Sequence, residues 1–145
     1  MRLGLRDFTG TWRVARRVLP ETGAEARFEG QAWLTPDEHG LSYHEDGLLS
    51  LPGHAPIRAE RRYLWRDAPD GGITVLFQDG RAFHGFDPNG KTPGDRHFCD
   101  PDTYVVSYDF AGWPVWRSDW RVRGPRKDYR MITDYERIPG ARTGP

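Results

Sequence analysis

Two histidines, His84 and His97, bracket a turn-rich segment from Asp87 to Arg96. Imidazole takes or gives a proton near neutral pH, so the pair suits acid–base work or polar contact with a ligand. Tyr104 follows, and its phenol can donate to an oxygen that gains negative charge. His84, His97 and Tyr104 are therefore the candidate catalytic residues, with Asp100 or Asp102 placed to orient one imidazole. The competing reading makes each histidine a hydrogen-bonded ring that fixes a loop.

His97-Phe98-Cys99-Asp100, with His84, raises metal binding. Alternation puts His97 and Cys99 on one side and Asp100 on the other, and none of the standard zinc spacings occurs. No metal and no cofactor is expected. No histidine falls on the last strands to ligate a heme. A single cysteine excludes an intrachain disulfide, and Cys99 reads as a buried, inert thiol. Ser107 and Ser118 lack a nucleophile-elbow context. Without a glycine-rich phosphate loop, nucleotide-dependent chemistry is not expected.

The densest polar cluster is Gly124-Pro125-Arg126-Lys127-Asp128-Tyr129. One reading is a tight turn that presents Arg126 and Lys127 to a carboxylate or phosphate at the mouth of a cavity. The other is an ion-pair network with Asp119, Asp128 or Asp100 that locks a hairpin. Of Arg61 and Arg62, one must face inward if their strand lines an interior, where an acid such as Glu45 would pair with it. Arg16 and Arg17 read as solvated.

These groups need a scaffold, and its period is two. Segments such as Tyr104–Tyr108, Val115–Val122 and Lys127–Arg137 alternate and are rich in aromatic and β-branched residues. Asp46-Gly47, Asp70-Gly71-Gly72, Asp79-Gly80, Pro88-Asn89-Gly90 and Gly124-Pro125 supply turns. Helical pattern is scarce, because Pro20 and Gly23 interrupt the one candidate after Arg13. The expected fold is all-β: a single antiparallel up-and-down barrel of about nine or ten strands with little helix, since closure removes exposed edges. A two-sheet sandwich is the rival.

Period two also names the lining. Tyr129, Met131, Thr133 and Tyr135 share a face, as do Tyr104, Val106 and Tyr108. Trp116, Ser118 and Trp120 share another, and His84 goes with Ala82 and Phe86. The expected ligand contacts are Tyr43, His84, Tyr104, Tyr108, Trp116, Trp120, Arg126, Tyr129 and Met131.

The chain has 145 residues, with 21 Lys+Arg balancing 21 Asp+Glu. That length suits one domain that buries roughly 70% of its unfolded surface. Zero net charge argues against a nucleic-acid partner and a polybasic membrane anchor. Aromatic residues make up 13% of the chain and include six Trp, a payload for a core or a ligand pocket. Met1–Phe8 has no long apolar stretch and is expected to be neither a signal peptide nor an anchor, so a cytoplasmic location is the default. Residues 1–138 are expected to form the domain and 139–145 a flexible tail.

Gly10-Thr11-Trp12 opens the first strand, and Arg137 ends the last. In a closed barrel these ends meet, and a guanidinium can stack on the indole. This pair resembles the calycins, meaning lipocalins and fatty-acid-binding proteins. The strings from Phe77 to His84, from His97 to Tyr104 and from Trp120 to Tyr129 resemble a bacterial family catalogued as domain of unknown function 6314. That resemblance implies a calycin-like barrel and supplies no catalytic residues. The expected function is binding of a small molecule, aromatic or carboxylate-bearing, in an aromatic cavity with a His/Tyr/Arg rim. One alternative is a cofactor-independent enzyme of isomerase, cyclase or hydrolase type that uses His84 or His97 in the same cavity. Another is a filled-barrel scaffold acting through its surface.

Overall fold

A computed structural model describes residues 2–140. A 3-10 turn, Leu5–Phe8, precedes ten strands: β1 Gly10–Pro20, β2 Ala26–Pro36, β3 Leu41–Ser50, β4 Ile57–Asp67, β5 Ile73–Phe77, β6 Ala82–Phe86, β7 Gly94–Cys99, β8 Asp102–Asp109, β9 Val115–Arg123 and β10 Asp128–Arg137. Every strand pairing among the described residues is antiparallel, and consecutive strands are neighbours except β6 and β7. β1 pairs with β10 from Trp12↔Arg137 to Pro20↔Tyr129, which joins the ends of the sheet into a nearly closed barrel. The join between β6 and β7 lacks a ladder, and Gly85 N–H donates to the Asp95 carboxylate across it at 2.7 Å. Positions 141–145 of the expected tail lie outside the described residues. Among the described residues no helix is long and apolar enough to cross a membrane.

Alternation builds the interior. On β9, Trp116, Ser118, Trp120 and Val122 are buried, and on β10 so are Met131, Thr133 and Tyr135. Outward positions carry ion pairs, such as Arg117 with Asp134 and Arg130 with Asp119. Gly30 faces Gly47 across β2 and β3. A Cβ on Gly30 would lie 2.2 Å from the Asp46 carbonyl oxygen, so this close approach requires glycine.

One end of the barrel is sealed by aromatic packing. Phe8 is fully buried against Trp65, Trp113 and Trp116 at centroid distances of 5.3, 4.8 and 5.5 Å. Trp12 Nε1–H donates to the Phe8 carbonyl at 2.9 Å. The Arg137 guanidinium lies 4.4 Å from the centroid of the Trp12 ring system and donates to the Thr9 and Asp7 carbonyls. The N-terminal segment also crosses to the β6–β7 loop, where Leu3 and Asn89 exchange two hydrogen bonds of 2.7 Å.

Arg137→Ala removes two charge-assisted hydrogen bonds and the stacking, and should destabilise the protein by about 2–3 kcal/mol. Arg137→Lys should recover only part, since one ammonium replaces a fork. Urea unfolding checks this: the midpoint should fall with an unchanged slope.

Candidate functional site

Above the sealed floor lies a cavity of about 290 Å³ with a largely aromatic wall. Tyr43, His84, Tyr104, Tyr108, Trp116, Trp120, Tyr129 and Met131, among the expected ligand contacts, line it, and so does His97. The interior is therefore not filled by side chains. Arg126 is the exception among the expected contacts. The β9–β10 turn closes tightly, with Gly124 N–H donating to the Lys127 carbonyl at 2.7 Å, and Arg126 is left exposed on it. Lys127 turns back instead. Its Nζ donates to the Tyr104 hydroxyl at 2.9 Å and pairs with Asp102 at 3.2 Å, so this part of the cluster reads as a hairpin lock.

A charged layer crosses the middle of the barrel. Arg16, expected to be solvated, is buried. Its Nη1 and Nη2 donate to the two oxygens of Glu45 at 2.8 and 2.7 Å, and its Nε donates to Thr133 Oγ1 at 2.8 Å. The Tyr43 hydroxyl donates to Glu45 Oε1 at 2.6 Å and lies 3.1 Å from the Tyr135 hydroxyl. Burial works to raise the Glu45 carboxyl, but the Arg16 hydrogen bonds and charge outweigh it and hold the group below the usual carboxylate range. Burial also pushes the Tyr43 and Tyr135 phenols up. Arg61 faces inward as one of the two candidates, yet it is not the main partner of Glu45. Its Nε stands 4.0 Å from Glu45 Oε2. The missed signal for Arg16 is plain: it shares the even face of β1 with Trp12 and Val14, both buried.

His84 bonds a phenol rather than a carboxylate. Its Nε2 lies 2.7 Å from the Tyr108 hydroxyl. Asp102 is taken by Lys127, and Asp100 is exposed in the β7–β8 turn. Burial drives the imidazole down to about 4, against a small opposing pull from Asp95, so His84 is neutral at pH 7. Sequence alternation leaves Phe83 off this face and puts Ala82 on it. A bulge reverses that: Val75 pairs with His84 but Leu76 with Ala82, so Phe83 also lines the cavity while Ala82 is exposed. Phe83 stacks on Trp120 at 5.2 Å with planes 7° apart.

His97 lies edge-on to Phe83 at 5.4 Å. Cys99 borders the cavity but is exposed, because β7 runs along the unladdered join; the buried thiol expected from sequence is corrected. Among the described residues the cluster of metal-type ligands is His44, Asp46 and Glu60, not the His84, His97 and Cys99 set. Its Asp46 is held by Arg58 at 2.6 Å, and Glu60 lies 2.9 Å from His44.

The model of a family described as "Family of unknown function (DUF6314)" matches residues 8–137. No curated protein matches. Among solved structures, the S-type phycobiliprotein lyase CPES from Guillardia theta has a TM-score of 0.62 at 11% identity, covering 94% of this chain and 92% of that chain. At that identity the likeness shows the calycin-like barrel alone.

The His84 shift has a stability consequence. The folded value lies below the ordinary 6.5, so the unfolded chain takes the proton first. This contribution is complete above about pH 6.5, is lost as pH falls toward 4, and levels off below that. Between pH 7.5 and 5 it amounts to about 2 kcal/mol. His84→Gln, which keeps a partner for Tyr108, should lack it. Urea unfolding of both proteins across that range checks the difference; parallel pH profiles would refute it.

Proposed function

The chain belongs to the DUF6314 family, and we propose that it binds a small, flat, aromatic molecule inside its barrel. One observation carries this reading. A chain rich in large side chains leaves an aromatic-walled void of about 290 Å³ unfilled, and fixes polar groups around it. Well-packed interiors close such spaces, because unfilled volume costs roughly 24 cal/mol per Å³. The volume lies at the small end of ligand pockets, near about 300 Å³, which suits a molecule of one or two fused rings. Tyr63, Phe83 and Trp120 offer ring faces, and Phe83 and Trp120 are already near parallel. His84, neutral and anchored by Tyr108, adds a directional polar contact rather than a charge.

Proton transfer by His84, His97 or Tyr104 has less behind it. Among the described residues no carboxylate hydrogen-bonds His84 or His97 in the cavity. With its imidazolium form disfavoured down to about 4, His84 is a weak acid and a weak base at pH 7, and Tyr104 already accepts from Lys127. The Guillardia theta protein is named a phycobiliprotein lyase, and that activity is its own.

Isothermal titration with 2-naphthylmethanol tests the binding reading. Saturable one-to-one binding is expected. Met131→Trp, which fills the cavity, should abolish it while the near-ultraviolet circular dichroism of a folded barrel remains. His84→Gln should weaken it about three- to tenfold, the value of one polar contact. Equal binding by the filled variant would place the probe elsewhere and overturn the reading.

A further inference from the structure

We infer that the cavity selects a ligand with one negative charge, a planar aromatic carboxylate, and that Arg61 receives its acid group. This rests on the binding reading above and goes beyond it by assigning charge and contact.

The permanent charges of the lining are Arg16, Glu45 and Arg61. Arg16 and Glu45 cancel through a two-pronged bond, and Tyr43 occupies Glu45 further. Both carboxylate oxygens are thus engaged, and Arg61 stays at 4.0 Å, beyond hydrogen-bond reach. Among the described residues no other acid pairs with Arg61. Arginines on the outer wall fare differently. Arg58, Arg117 and Arg130 each place two nitrogens on one aspartate. The cavity therefore carries one guanidinium whose fork makes no hydrogen bond to a carboxylate, only a 4.0 Å approach to Glu45, and a ligand carboxylate matches that fork in shape and charge.

Position supports the assignment. Along β4, Trp65 is buried against the floor, Tyr63 is half-buried, and Arg61 is 42% exposed. Arg61 thus stands toward the open end, where an entering ligand keeps its charged group near water while its rings descend to Tyr63, Phe83 and Trp120. The aromatic wall lowers the local dielectric and strengthens the attraction. Lys127 is the nearby competitor, but Asp102 and Tyr104 already hold it.

The test uses three probes on one ring: 2-naphthoate, 2-naphthylmethanol and 2-naphthylmethylammonium, titrated calorimetrically at pH 7.5. The naphthoate should bind at least about tenfold tighter than the alcohol, and the ammonium weakest. Arg61→Gln should bring naphthoate to the level of the alcohol measured on the same variant; Arg61→Lys should restore part of the preference. Arg126→Gln should leave the preference intact. If the alcohol binds but naphthoate binds no better, or if Arg61→Gln keeps the preference, the charge assignment falls and the binding reading stands. If no probe binds, both fall.

Discussion

The pairing of β1 with β10 is the constraint on which the barrel depends. Ten strands laid side by side make a ribbon; register from Trp12↔Arg137 to Pro20↔Tyr129 turns it into a vessel. The residues that end this ladder also make the floor. Arg137 lies on Trp12, reaches back to the turn before β1, and thereby fixes Phe8 among the surrounding indoles. A single guanidinium thus ties chain closure to the sealing of one end. With that end plugged by rings, the space left between the strands opens away from it.

Part of the charged layer uses the same closure. Arg16 on β1 reaches Thr133 on β10 across the join, while its pair with Glu45 spans β1 to β3 on one side of it. Burying two ions costs several kcal/mol each unless geometry and extra hydrogen bonds offset it. Here the two-pronged contact, Thr133 and Tyr43 supply those bonds. Apolar residues at these positions would satisfy folding as well or better, so the layer is better understood as a fixed polar surface facing the lumen than as a source of stability.

Much of the fold was legible because it rests on period two, turn residues and the match of Trp12 with Arg137. The lining was legible for the same reason: residues two apart on β8, β9 and β10 face one way. What failed has local causes. Charge alone points Arg16 to solvent, although its parity with Trp12 and Val14 points inward, where it is buried. Phe83 broke parity through a bulge that no pattern announces. Arg126 and Lys127 stand together in sequence, but the tightness of their turn sends one out and the other onto Tyr104. Side-chain partners chosen across strands, such as Tyr108 for His84, depend on register between distant segments and have no signature along the chain.

The join between β6 and β7 gives the vessel a mechanical character of its own. Every other boundary is laced by backbone hydrogen bonds; this one is held by the Asp95 side chain, by rings such as Phe83 and His97, and by the loop that Leu3 clasps through Asn89. Widening the bore there breaks no rung of any ladder. The wall is built as a split collar, laced by ladders around most of its girth and left unlaced along one line that runs beside the ring stack.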